Sequence, residues 1–377
     1  KQLAEKVGVK SQQIQRWENE DYATAGFKNL VKIADAIGVE VSEEISFRRV
    51  AKDNLDTLRS LGIEKEFIKR RLVPEAGREE HELVSTASTF LKKIWGLVVH
   101  ADGRLDTSGY NCSAASAARF KLPKNADPAR ARAYAQYVLY VASCITSGMK
   151  APPVSVPRDW TQIRELLGQG GGLSLKASLE KVWDMGIPVI PLSDPLRFHG
   201  SCMRIGDRNA IVLKQTVRSE SHWLFDLLHE LYHAGEAPDA TSFAETPLDG
   251  TDPDRRESED EKAANAFAGN ALMNGKADEL YSLILERSRR RLPAIKNAVV
   301  SVASENGADI GILANYVAYK LKTESYINWW GAAANLQPES EDAYSIAAAV
   351  FKDRFDLESL SEDDRRIVEL AIVEPSI

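Results

Sequence analysis

Apolar residues recur at spacings of three and four over most of the 377 residues, the pattern of helices with one buried face. Phe90, Leu91, Ile94 and Leu97 are one such set; Trp223, Leu224, Leu227, Leu228 and Leu231 are another. The period changes at Gly186. "GIPVIPL" (186–192), "HGSCMRIGD" (199–207) and "NAIVLK" (209–214) are short β-rich runs separated by turn residues. They predict a small sheet, with Asp207-Arg208-Asn209 closing a hairpin between the last two runs. After Ser219 the helical pattern returns and holds nearly to the end. The expected class is α+β, mostly helical.

Breaks in the pattern suggest four regions. Residues 1–45 form a compact helical set punctuated by Gly8, Gly26 and Gly38. Residues 46–150 read as a helical spacer or sensor region. "SGMKAPPVSVPRD" (147–159) reads as a linker and "GQGGG" (168–172) as a loop. Residues 151–325 hold the sheet and the chemistry. Residues 326–377 read as an acidic helical tail, in which Trp329 and Trp330 are expected to be packing groups.

Composition changes this picture little. Hydrophobic residues at 44% and charged residues at 27% describe a globular chain. The longest apolar candidate, Ala133–Ile145, carries Gln136 and falls short of the roughly 20 residues a bilayer requires, so no membrane association is expected. Cys112, Cys144 and Cys202 are widely spaced, form no CxxC pair and suit a reducing cytoplasm. A net charge of −7 gives no general attraction to nucleic acid, so DNA binding requires a local surface. The first residue is Lys1, and the true start is expected to lie upstream.

The densest chemistry is "SESHWLFDLLHELYHAGE" (219–236). Ser219 or Ser221 offers a cap, and Gly235 a stop. His229 and His233 lie one helical turn apart, about 6 Å along the axis, and project from one face where they can share a metal. Glu230 lies about 100° around the helix, placed to reach a metal-bound water instead of the metal. This is the logic of HExxH on a helix with zinc. Zinc lowers the pKa of its water to about 7, and the carboxylate takes the proton as the water attacks a carbonyl. The alternative reading is a pair of core histidines on an amphipathic helix.

A third ligand is sought downstream, in "ESEDEKAANAFAGNAL" (257–272). Ala264, Phe267, Ala268, Ala271 and Leu272 define an apolar face, and Glu261 lies near it. Glu257, Glu259 and Asp260 are expected to be solvated or near a helix start. A buried glutamate is costly, and a metal offsets that cost. Asp226, three residues before His229, either orients a ligand or is a solvated helix acid. His199, at a strand start, either approaches substrate or is an ordinary loop histidine. His222 is expected to be a capping or surface group.

"WLFDLLHELYHAGE" followed by "EKAANAFAGNAL" resembles the ImmA/IrrE family of bacterial metallopeptidases, whose pattern is an HExxH helix and then a helix with Glu before Ala-Asn-x-Phe-Ala. Glu261, Ala264, Asn265, Phe267 and Ala268 match in place, and "ADIGILANYVAYKL" (308–321) resembles the family's closing helices. The likeness runs from Gly186 to Leu321. It implies a gluzincin-like domain with zinc (Zn2+) on His229, His233 and Glu261, Glu230 as base, and a repressor- or antitoxin-type protein as substrate. Tyr232 stands where the family often has Gly, which narrows the cleft. Asp226 stands where it often has a small hydroxyl residue, and Asn274 where it usually has Pro.

At the other end, "KQLAEKVGVKSQQIQRWENE" has a helix-turn-helix layout. Leu3, Ala4 and Val7 line one helix, Gly8 turns and Val9 fills the gap. Ser11 caps a second helix that turns Ile14 and Trp17 inward. The stretch resembles an Xre/Cro-type repressor domain lacking its first helix. The resemblance implies that the second helix enters a major groove of double-stranded DNA. Ser11, Gln12, Gln13, Gln15 and Arg16 then face the bases; Lys10 and Lys28 face phosphates. Residues 1–45 carry six cationic and eight acidic side chains, a modest balance for a DNA binder. A helix-turn-helix retained for dimerisation or partner binding stays open, as does a homodimer. The run "ERSRRRLP" (286–293) reads as a solvated helix face.

Together these readings describe a cytoplasmic bacterial or phage regulator that joins DNA binding and transcription regulation to a zinc metalloendopeptidase. It would serve a stress-response, phage-defence or toxin–antitoxin circuit. The alternatives are a DNA-binding regulator or antitoxin with a catalytically silent sensing domain, and a zinc-dependent small-molecule hydrolase.

Overall fold

The computed structural model describes residues 2–20, 22, 24–39, 48–76, 80–112, 127–168, 172–193, 200–215, 217–235 and 259–373. The chain divides into two compact units, Lys1–Arg48 and Arg49–Ile377.

Among its described residues the first unit holds three helices, α1 (Gln2–Val7), α2 (Ser11–Asn19) and α3 (Phe27–Ile37). Ala4, Val7, Ile14, Trp17, Ala25 and Ile33 form its core. The backbone of Gly8 and Val9 folds back onto the Ala4 carbonyl, making the turn between α1 and α2. The N-cap of α2 is Lys10, with no side-chain cap, and not Ser11 as expected. Ser11 is the first helical residue, which leaves its hydroxyl on the outer face.

The described residues of the second unit are mostly helical, with two small sheets. α4 (Arg48–Ser60), α5 (Lys65–Arg71), α6 (Glu80–Thr86) and α7 (Ser88–Trp95) precede a hairpin of β1 (Val98–Val99) and β2 (Leu105–Asp106), which the helical pattern did not announce. The long α8 (Pro128–Gly148) follows, capped by the Asp127 carboxylate, then α9 (Trp160–Gly168) and α10 (Leu175–Asp184). The expected sheet is present as β3 (Val189–Pro191), β4 (Ser201–Ile205) and β5 (Arg208–Leu213), in the order β3-β5-β4. β5 runs parallel to β3 and antiparallel to β4, with Ser201 opposite Val212. It is buried along its whole length: the apolar run Ala210–Leu213 faces the core, and Arg208 and Asn209 are held by hydrogen bonds.

The hairpin closes through Gly206 and Asp207, since Ile205 pairs with Arg208. Arg208 and Asn209, assigned to the turn by sequence, belong to β5 instead. Their side chains have structural roles. Arg208 donates to the carbonyls of Gly186 and Ala151, and Asn209 Nδ2 donates to the Ala234 carbonyl at 2.8 Å. The latter bond ties the sheet to the end of α11 (Glu220–Ala234). α12 (Glu259–Met273) packs against α11, and Arg164 of α9 holds its far end through the Ala271 and Leu272 carbonyls.

α13 (Ala277–Arg287), α14 (Leu292–Asn306), α15 (Ile310–Ser325) and α16 (Trp330–Ala334) share a second core around Ile284, Val299, Val317 and Trp329. The final helices, α17 (Ala343–Arg354) and α18 (Glu362–Ile372), do not form a separate tail. Tyr344, Phe351 and Ile367 lie in the same core as Leu58, Trp95, Tyr137, Ile211 and Trp223. Buried Arg71 donates to the carbonyls of Leu370, Ala371 and Val373, clamping the end of α18 to α5. Parts of the regions read as spacer, peptidase and tail thus share the larger core, while α13 to α16 pack around the second. Among the described residues, no helix is long and apolar enough to cross a membrane.

Candidate metal centre

Helix α11 buries Trp223, Leu224, Leu227, Leu228 and Leu231 against the sheet and the neighbouring helices. With that face fixed, His229, Glu230 and His233 are also held inside, each no more than 5% exposed. On α12 the apolar face of Ala264, Phe267, Ala268 and Ala271 is buried and carries Glu261 toward α11.

Three donors meet there. His229 Nε2 and His233 Nε2 are 3.3 Å apart. Glu261 places Oε2 3.4 Å from the first and Oε1 3.5 Å from the second. Each carboxylate oxygen thus faces one imidazole nitrogen, and one ligand atom from each of the three residues lies within 4.8 Å of the others, a grouping of two imidazoles and a carboxylate that could hold a metal ion such as zinc. The tautomer fits as well. Asn265 donates through Nδ2 to the Glu261 carbonyl at 2.8 Å, which turns its Oδ1 toward His229 Nδ1 at 3.1 Å. His229 therefore carries its proton on Nδ1 and directs the Nε2 lone pair into the triangle. Beside His233 Nδ1 the Asp260 carboxylate stands 3.5 Å away, an ion-pair spacing too long for an aligned hydrogen bond. Asp260, expected to be solvated, thus faces His233; Glu259 is exposed.

Glu230 packs against Gly200, just before β4. A Cβ at Gly200 would lie 3.3 Å from Glu230 Oε1 and 3.1 Å from the Val212 carbonyl, so a side chain there would crowd the carboxylate. Asp226 accepts a 2.6 Å hydrogen bond from Gln215 and lines a cavity of about 290 Å³ together with Glu261, Asn265, His222, Phe225 and Trp330. Tyr232 lies between Phe267 and Arg158, with the guanidinium over its ring and bonded to its hydroxyl, and walls the His233 side of the cluster. His199 and Glu257 lie outside the described residues.

His222 is not a surface group. It is half-buried in the cavity wall, its Nδ1 receives Ser219 Oγ at 2.9 Å and Asn315 Nδ2 at 3.0 Å, and burial holds its pKa down at about 4. Ser219 is the N-cap of α11 by position, but its hydroxyl serves His222 and not the backbone. Trp330 is partly exposed beside that ring, whereas Trp329 is the packing group. The arginine run lies in the turn between α13 and α14, where Arg287 pairs with Glu305 and Arg289 and Arg290 are exposed.

In the first unit Ser11, Gln12, Gln13, Gln15 and Arg16 share the exposed face of α2, while Ile14 and Trp17 are buried. Arg16 pairs with Glu20 one turn on, at 3.6 Å.

Residues 1–43 match the helix-turn-helix family model. No curated protein and no solved structure matches the chain.

Asn265 was named only as a family match and His222 only as a capping or surface group, although helical spacing places Asn265 one turn after Glu261 and His222 two turns before His229. Asn315 and Gly200 were not singled out and carry no such signal.

Proposed function

We propose that the chain is a zinc-dependent metalloendopeptidase joined to a DNA-binding helix-turn-helix. The observation that carries this reading is the His229–His233–Glu261 triangle with Glu230 buried beside it. His229, His233 and Glu261 would hold the metal. Zinc, when bound, supplies a Lewis acid that acidifies water and polarises a peptide carbonyl. Glu230 takes the proton of the attacking water and returns it to the leaving amine. Its burial keeps bulk solvent from that proton, and Asn265 holds His229 in the ligating tautomer. Through α2, Gln12, Gln13, Gln15 and Arg16 would contact bases. A repressor- or antitoxin-type protein is the proposed substrate, which would couple proteolysis to transcription.

Zinc content per chain tests this first. One zinc in the wild type, lost or sharply weakened in His229→Ala and Glu261→Ala, is the expected result. Protein purified without chelator that holds no zinc, and takes up none on addition, would sink the mechanism. Glu230→Gln should keep the zinc and abolish cleavage.

A second reading is a DNA-binding regulator whose second unit senses without turnover; it draws on the match of residues 1–43 to the helix-turn-helix family alone. Reporter repression that survives Glu230→Gln, in a protein that cleaves nothing, but is lost with Gln12→Ala or Arg16→Ala would support it.

A further inference from the structure

The cavity beside the triangle contains a histidine that the proposed chemistry does not use. His222 sits seven residues before His229 on α11, two turns or about 10 Å along the axis, on the same face. Its proton can be located from its neighbours. The Gln337 side-chain nitrogen is surrounded by three acceptors: the Gly311 carbonyl at 3.4 Å, the Ala333 carbonyl at 3.0 Å and Asn315 Oδ1 at 3.1 Å. Two of these are backbone oxygens, so the Gln337 group is an N–H donor and Asn315 receives it on oxygen. Asn315 must then turn its own NH2 to His222, where Nδ2 meets Nδ1 at 3.0 Å. Ser219 Oγ lies 2.9 Å from the same nitrogen. The Nδ1 of His222 is therefore an acceptor and the ring proton is on Nε2.

The fold builds this network tightly. A Cβ at Gly311 would lie 2.6 Å from Ser221 Oγ, so α15 approaches α11 closely enough for Asn315 to reach the ring only because that position has no side chain. The burial that holds the pKa of His222 near 4 keeps the ring neutral at physiological pH. Among the described residues no hydrogen bond reaches His222 Nε2, and the ring lines the cavity with Trp330, whose ring centre is 5.6 Å away. A neutral, pre-oriented N–H donor beside an exposed aromatic surface suits a main-chain carbonyl with an apolar side chain next to it, not a charged group.

We propose that His222 is a substrate-binding residue: its Nε2–H donates to a main-chain carbonyl of an extended peptide lying along α11, while an apolar side chain of that peptide rests on Trp330 and Phe225. The inference rests on the peptidase reading. At about 3.3 Å per extended residue, the contact falls about three residues from the bond cut at the triangle. The preferred substrate is then an unfolded or extended segment with an apolar residue at that distance.

The test uses the zinc-loaded full chain and hydroxamates that anchor at the metal. Acetohydroxamate is compared with peptidyl hydroxamates and succinyl hydroxamates extended by one, two and three apolar residues, which grow from the metal in opposite directions. Affinity is read by calorimetry, and the difference in tryptophan fluorescence between the wild type and Trp330→Phe reports on the far end. In one of the two series, adding the third residue should tighten binding about five- to tenfold and perturb Trp330, as expected for one added hydrogen bond. His222→Phe should lose that gain and His222→Gln recover part of it, while both bind acetohydroxamate like the wild type. A third-residue gain that is absent from both series, or unchanged in His222→Phe, overturns the proposal alone. Wild type that binds no acetohydroxamate at any zinc concentration overturns the peptidase reading and this proposal with it. Nitrogen-15 spectra of the metal-free protein give an independent readout: His222 should be the neutral Nε2–H tautomer, and the Nδ1–H form would exclude the donor.

Discussion

Asn265 accepts from His229 Nδ1 across 3.1 Å while donating to the carbonyl of Glu261, so one side chain orients one proposed metal ligand and is anchored on the backbone of another. Removing it frees the His229 ring to rotate and to change tautomer. Asn265→Ala should weaken zinc about 10- to 100-fold, the usual cost of losing such a partner. Asn265→Asp keeps the acceptor and should retain most of the affinity. Asp260→Ala should cost less, because its contact with His233 is 3.5 Å long and its side chain is 36% exposed. Competition against a chelator of known affinity measures all three. An Asn265→Ala protein that holds zinc like the wild type would remove this residue from the site.

Gly200 faces the other functional carboxylate. Adding a methyl group there meets Glu230 on one side and the Val212 carbonyl on the other, and the backbone is the less able to move. Gly200→Ala should therefore displace Glu230 while leaving His229, His233 and Glu261 in place. Zinc stoichiometry should be unchanged and cleavage of a quenched peptide pool should fall about ten- to a hundredfold, the scale of a misplacement near 1 Å. Undiminished cleavage would show that Glu230 does not need its present position.

How far the sequence reached follows from the range of each interaction. His229, Glu230 and His233 were legible because helical geometry alone puts them together. Glu261 needed one further step, the inward face of α12. Asp260 was misread because an acidic run at a helix start looks solvated, and only the packing of α12 on α11 brings one member to His233. His222 was misread because the residues that bury it, Asn315 and Trp330, lie on α15 and α16, about ninety residues or more along the chain. The acidic tail was misread for a related reason. The charges of α18 are concentrated at its start, whereas Ile367, Val368, Ala371 and Ile372 form a buried face matched by α5 and α8.

That misreading leads to a stability prediction. Asp364 of α18 accepts from Lys93 of α7 at 3.0 Å and from the Tyr140 hydroxyl of α8 at 2.7 Å. Burial acts to raise the Asp364 carboxyl and lower the Lys93 ammonium, but the hydrogen bonds among Ser361, Tyr140, Lys93 and the acids outweigh it. The carboxyl is held below its ordinary value and the ammonium above. A depressed carboxylate stabilises the fold above its unfolded pKa of about 3.9 and loses that contribution as pH falls through the folded value. Asp364→Asn should thus cost about 1–2 kcal/mol at pH 7, allowing for partial exposure, and progressively less below pH 4. Urea unfolding of both proteins at pH 7 and pH 3 measures the difference. A penalty equal at both pH values would mean that packing of the side chain, not its charge, holds α18.

The last prediction concerns the first unit. Gln12 and Arg16 are exposed on α2 while Ile14 and Trp17 anchor it, so both can be replaced without disturbing the core. On a duplex selected by the full chain from a random pool, Gln12→Ala and Arg16→Ala should each cost about 1–3 kcal/mol of binding and relax preference at one base position. Neither should alter zinc content. Glu20→Gln acts in the opposite sense. It removes the partner 3.6 Å from Arg16 and one of the acids that offset the local positive charge, so affinity should rise and fall more steeply with salt. If selection instead yields no preferred sequence, and all three variants bind DNA as weakly as the wild type at low salt, α2 is not a reading helix. Its outer face would then belong to a protein contact.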